Sequence, residues 1–112
     1  MISLEYLAGF FDGEGTFYIG KQFKNGIEYP KAQVMLSQSG NDGLALLTEI
    51  QTAFKGSIYE HLKAGEHKAT KSAYKLYWNK KDAIPLCRAL IPHLILKQEA
   101  AKQVLAYLTR NE

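Results

Sequence analysis

The sequence is poor in the residues that staple or anchor a small protein. Its single cysteine, Cys87, excludes an internal disulfide framework and a cysteine-built zinc cluster. No apolar run approaches the roughly 18 residues that a membrane span requires, so no membrane partner is expected. The opening Met1-Ile2-Ser3-Leu4-Glu5 has no basic stretch, so a cleaved leader is not expected either. These gaps describe a soluble protein of a reducing compartment, such as an organelle (chloroplast or mitochondrion) or a phage or bacterial host. Arginine is almost missing: of 14 basic residues only Arg88 and Arg110 are not lysine. Lysine is a flexible point charge suited to phosphates, whereas arginine is the bidentate reader of guanine. There is no repeat, low-complexity tract or linker.

What is present is ordinary globular composition, 46% apolar and 22% charged over 112 residues, which is the size of one domain spanning 1–112. A chain this short buries only about 60–70% of its unfolded surface, which makes oligomerisation a reasonable expectation. The formal charge of +3 is mild, and by itself it describes a solvated lysine surface as readily as a nucleic-acid partner.

Ser3 is placed to cap a helix running to about Asp12, with Leu4, Leu7, Ala8 and Phe11 on one stripe. The period then changes to that of a strand from Thr16 to Lys24, with Phe17, Ile19 and Phe23 on one face. Asn25-Gly26 is a strong hairpin signal, because both residues tolerate the positive φ of a type I′ turn. A second strand runs from Glu28 to Gln38, and Pro30, which lacks an N–H, belongs near its start or on an edge. Asn41 is expected to cap a second helix bearing Leu44, Leu47, Ile50 and Phe54, with Gly56 as its stop. Strands follow near Ser57–Lys63 and Ser72–Asn79, joined by a polar loop. A third helix covers Asp82–Ile91 and ends at Pro92; a fourth starts near Lys97. The fold class is therefore α+β, in the order α-ββ-α-ββ-α-α, with a four-stranded antiparallel sheet backed by helices.

With helices burying one face of that sheet, alternation leaves the other to Tyr18, Gln22, Lys24, Tyr29, Lys31 and Gln33. Met35, Tyr59, His61, Lys63, Lys75 and Tyr77 complete the same face. It is cationic, polar and aromatic, with no acid. A solvated sheet face usually mixes both signs, so this one fits a surface laid along a nucleic-acid groove.

The stretch Leu7-Ala8-Gly9-Phe10-Phe11-Asp12-Gly13-Glu14-Gly15 departs from ordinary helix design. Gly9 and Gly13 are four apart on one face, and each costs about 1 kcal/mol against alanine. Small residues at that spacing let two helix backbones approach closely. Asp12 and Glu14 stand at the C-terminal end, where the helix dipole disfavours them and unpaired carbonyls are exposed. Carboxylates beside free carbonyl oxygens make a site for a hard cation. Asp-Gly-Glu-Gly alone also describes a glycine-rich turn with two exposed acids.

This nine-residue stretch resembles the signature of the LAGLIDADG homing endonucleases, and the element order and length extend the resemblance over nearly the whole chain. The resemblance implies a homodimer, because one motif is present, with the motif helices packed on each other through Leu7, Gly9, Phe10 and Gly13. It implies a saddle-shaped sheet lying in the major groove of double-stranded DNA. Glu14 and the Gly13 carbonyl match the metal-binding positions, for Mg2+ or Mn2+. Gln38 matches a polar residue that orders water around the attacking water, and Lys97 a basic residue near the scissile phosphate. The implied catalytic set is Glu14, Gln38 and Lys97.

Some members place a further basic residue four positions after the glutamine; here it is Asp42, which suits the first turn of a helix. Among the histidines, His61 projects from the sheet face, His67 lies in the polar loop and His93 lies beside Pro92, so none is a favoured general base. With no arginine on the sheet, base readout should lean on lysine, glutamine, water and DNA deformability. Three functions remain open. One is a homing endonuclease making a metal-dependent double-strand break at a long pseudo-palindromic site. Another is a non-catalytic relative that binds DNA or RNA, such as an intron-splicing maturase contacting intron RNA. The third is an unrelated α+β interaction domain whose glycine-rich helix serves only dimerisation.

Overall fold

The computed structural model describes residues 2–66 and 70–112; His67 therefore lies outside the described residues. Helix α1 spans Leu4–Glu14, and the Ser3 side chain caps it by accepting the Tyr6 N–H at 3.0 Å. The helix runs two residues beyond Asp12, because the Gly15 N–H still reaches the Phe11 carbonyl. The chain then passes directly into β1, Gly15–Lys24. Only glycine fits this corner: a Cβ on Gly15 would meet the Phe11 ring at 2.2 Å.

Asn25 and Gly26 take φ of 51° and 77°, the turn expected from Asn-Gly, and return the chain as β2, Ile27–Ser39. Register runs from Gly15 opposite Leu36 to Lys24 opposite Ile27. Strand β3 is Ser57–Leu62 and β4 is Ala73–Tyr77, and the antiparallel sheet has the order β1-β2-β4-β3. Strand β4 pairs only with Met35–Ser39 of β2. The outer half of the β1–β2 hairpin therefore projects as a two-stranded arm, and Pro30 sits on its open edge, where its missing N–H costs nothing.

Helix α2 covers Gly40–Phe54, with Ser39 rather than Asn41 at its N-cap position. Its stop needs Lys55 as well as Gly56, with φ of 70° and 97°. Helix α3 is Lys80–Leu90 and starts at Asn79, earlier than Asp82, because the Asn79 side chain accepts the Asp82 N–H. Pro92 does not end it directly; it lies within a short 3-10 turn, Ile91–His93. Helix α4 is Gln98–Leu108, with Lys97 at its N-cap position.

Helices α1, α2 and α4 pack on one face of the sheet, and α3 packs on α1 and α4. Phe11 stacks on Phe17 at 4.7 Å between ring centres and meets Trp78 at 5.6 Å, and around them lie Leu36, Leu47, Ile50, Leu76 and Leu90, all fully buried. Cys87 is buried in this core, and burial pushes its thiol up to about 11, so it is no nucleophile. Among the described residues no helix is long and apolar enough to cross a membrane.

Candidate active site and nucleic-acid interface

The end of α1 separates the two motif acids. Asp12 turns toward the segment before α4, where its carboxylate accepts the backbone N–H groups of Ile95, Leu96 and Lys97 at 2.9, 3.0 and 2.9 Å. Partial burial acts to raise its pKa, but the three N–H donors and the Lys97 charge outweigh that and hold it below the usual 3.8. Asp12 is thus a clamp that caps the approach to α4. Glu14, two residues on, is exposed at the helix end. The chain leaves the helix at Gly15, so the Gly13 carbonyl has no helical donor one turn ahead.

The clamp also fixes Lys97. Its Nζ donates to the Gly15 carbonyl, which places the ammonium against the backbone immediately after Glu14. Lys97, distant in sequence, is thus brought to the corner that Gly13 and Glu14 form. Gln38 lies near the same end of the sheet, two residues beyond the Leu36–Gly15 pair. Its alternation puts it on the helix-facing side with Leu36, half-buried, and its Cβ packs over Gly43 of α2. A Cβ on Gly43 would lie 2.8 Å from that of Gln38, so the glycine allows the close approach. No sequence signal marked Gly43 or the Asp12 clamp.

Among the described residues no three His, Cys, Asp or Glu side chains gather as a metal cluster. Among the described residues, this corner offers one exposed carboxylate, Glu14, beside backbone carbonyls. That donor set fits a Mg2+-like ion, which takes one or two carboxylates and completes its shell with phosphate oxygens and water.

The register places Tyr18 beside Gln33, Gln22 beside Tyr29, and Lys31 beside Gly20 on the helix-free face. Met35 continues across to Tyr77, and Lys75 to Tyr59. Tyr59 lies edge-on to Tyr77 at 5.6 Å and to His61 at 6.4 Å. Lys31, Gln33, Met35, Tyr59, Lys75 and Tyr77 form part of the lining of a concavity of about 830 Å3, which passes the open edge of β2 to Ala32, Val34, Trp78, Ala83 and Leu108 on the helix side and takes in Asn79 and Lys80 beyond the strand end. Lys24 stands at the hairpin end of this face. Lys63 requires correction: β3 stops at Leu62, after an irregularity between Glu60 and Leu62 breaks the alternation, and Lys63 is exposed in the following loop.

Leu7 also requires correction. It is fully buried in this chain's own core, on the stripe shared with Ala8 and Phe11, and is not available to a partner. The exposed stripe of α1 is Tyr6, Gly9, Phe10 and Gly13, with Phe10 half-buried. A Cβ on either glycine would meet nothing within 4 Å. Ile95 and Leu96, held by Asp12 at the end of this helix, are 90% and 76% exposed.

A sequence model of the LAGLIDADG endonuclease family matches residues 7–109. The chain belongs to the LAGLIDADG endonuclease family. A comparison with curated protein sequences gives no match. Among solved structures, the chain is similar to the homing endonuclease I-CvuI, in complex with the I-CreI target in the presence of Mg, with TM-score 0.75 and 21% identity. It is similar to the homing endonuclease I-TnaI, with TM-score 0.75 and 19% identity over 96% of this chain and 72% of that one. The LAGLIDADG homing endonuclease I-GzeII, in complex with its DNA target, gives TM-score 0.72 and 21% identity over 98% of this chain. This chain covers 65% of I-CvuI, with 95% of its own length aligned, and 37% of I-GzeII.

Proposed function

We propose that this protein is a site-specific DNA endonuclease that acts as a homodimer and uses a divalent metal, Mg2+ or Mn2+. The observation that carries the reading is the corner where exposed Glu14 and Gly13 precede the Gly15 carbonyl that holds Lys97, at the end of a sheet whose free face bears lysine, glutamine and tyrosine. Family membership and the DNA-bound similar structures support it.

In this reading the two α1 helices pack through Gly9 and Gly13, with Tyr6, Phe10, Ile95 and Leu96 around the seam, so two Glu14 carboxylates stand close to one axis. Each sheet lies in a major groove on its own side of that axis. Lys97, anchored on the Gly15 carbonyl, presents positive charge toward a phosphate at the same corner. Gln38 offers an amide to order water there. A divalent cation bound at Glu14 supplies charge stabilisation at the phosphate and a water of lowered pKa.

The test is cleavage, in Mg2+ or Mn2+, of supercoiled plasmid carrying a duplex selected for tight binding to this protein from a random pool, beside gel shifts on that duplex without divalent metal. Wild-type protein should nick or linearise the DNA. Glu14→Gln should bind equally well or better, because a carboxylate near phosphates is repulsive without metal, and its cleavage should fall by about two or more orders of magnitude. Equal cleavage by both proteins would remove Glu14 from the mechanism. Binding without cleavage by the wild type, in either metal, would make the chain a binding module.

A further inference from the structure

We propose that the cleft between the hairpin tip and the end of α4 is a phosphate-binding site for the outer end of a DNA half-site, with Arg110 and Lys24 as its cations. The inference rests on the DNA-binding reading above, and it concerns a place remote from the chemistry. The outer half of β2 has β1 on one side and no strand on the other. A two-stranded ribbon is marginal alone, and this one is braced from behind. Tyr107 Oη, on α4, donates to the Pro30 carbonyl on the open edge at 3.1 Å. The Arg110 guanidinium lies 3.9 Å over the Tyr107 ring, and its Nη1 donates to the Tyr107 carbonyl at 2.7 Å. An arginine held at two points loses little freedom when it takes an anion.

Gln22, Lys24, Tyr29, Pro30, Tyr107 and Arg110 line the cleft, and none is acidic. The hairpin's acid, Glu28, is paired with Lys21 at 3.5 Å on the opposite face. The other arginine, Arg88, stands on α3 and faces Glu112 at 3.8 Å, away from this cleft's lining. A rigid guanidinium fork and a flexible ammonium around one concavity suit a phosphate diester. Arg110 comes from the helix layer at the sheet's edge, where a groove-bound duplex carries its backbone rather than its bases. Strand β1 runs from Gly15 to Lys24, which at about 3.3 Å per residue puts the cleft roughly 30 Å from Glu14. That is roughly nine base pairs along B-DNA, so the cleft would fix the footprint's outer limit and leave the cut itself to Glu14.

The test is the salt dependence of binding to a random-sequence duplex of about 30 base pairs in Ca2+, read as log affinity against log salt concentration. Arg110→Ala and Lys24→Ala should each flatten the slope by about 1 per protomer, about 2 for a homodimer. Arg110→Lys should restore the slope, since it keeps the charge. Melting temperatures of the free proteins report on the brace separately. Weaker binding by Arg110→Ala at every salt concentration with an unchanged slope would make Arg110 a structural brace and overturn the proposal. So would an unchanged affinity. Those outcomes leave the nuclease reading intact. A wild-type protein that binds no duplex at low salt would overturn both.

Discussion

Asp12 and Glu14 show how two identical charges two residues apart acquire opposite duties. Asp12 is satisfied by three backbone donors and one cation, whereas Glu14 is exposed at the helix end. Asp12→Asn should therefore act on stability more than on chemistry. One amide oxygen still accepts, but the NH2 faces N–H groups, a loss of about 1–2 kcal/mol at neutral pH for this partly exposed site. The pH dependence has a definite sign. The Asp12 pKa in the folded chain lies below its ordinary 3.8, so its stabilisation is present above 3.8 and is lost as pH falls from there through the lowered value. Denaturant melts should thus separate wild type from Asp12→Asn near neutrality, and the gap should narrow as pH falls below 3.8. A gap of constant size would show that the carboxylate charge contributes nothing. Because the clamp also aligns Lys97, cleavage by Asp12→Asn should fall, but less than for Glu14→Gln.

At the scale of the element, α1 divides its circumference between two tasks. Leu7, Ala8 and Phe11 fill the core, while Gly9 and Gly13 leave a groove that nothing among the described residues occupies. A Cβ at Gly9 meets nothing within 4 Å in the single chain, and leucine there improves helix propensity by about 0.8 kcal/mol. Gly9→Leu should raise or preserve the melting temperature of the single chain while filling the space where, in the proposed dimer, two backbones meet. Analytical ultracentrifugation at micromolar concentration should then find a wild-type dimer and a folded, monomeric variant. A Gly9→Leu protein that stays dimeric and active would put the seam elsewhere.

The whole molecule is a plate, 43 × 41 × 23 Å along its principal axes, with helices on one side and an acid-free strand face on the other. The net charge of +3 understates that asymmetry, because several acids lie off this face: Glu28 and Glu60 alternate toward the helix side and Asp12 is spent on a clamp. DNA affinity should consequently fall by orders of magnitude between about 50 and 200 mM salt if roughly 6–10 phosphates are neutralised. Lys31→Ala discriminates within that total. A loss equal for all duplexes assigns Lys31 to a phosphate, and a loss at one base pair assigns it to readout. No effect in filter binding would take it off the interface.

Local spacing determined the order of elements, the hairpin turn and the motif, because helices, strands and type I′ turns are short-range structures with periods of their own. The acid-free face was legible for the same reason: alternation carries across paired strands once the turn is known. Alternation misled at Lys63, where one irregularity in β3 ends the pattern. Leu7 carried a legible conflict, since a residue on the stripe with Ala8 and Phe11 cannot also face a partner. Only tertiary structure decided which acid is free, what holds Lys97 and where Arg110 stands. Asp12 meets its donors more than eighty residues along the chain, and Tyr107 meets Pro30 at a similar separation. Such bonds have no period, so they follow from how α1 and α4 pack around Phe11 and the sheet, and not from the spacing of residues within either segment.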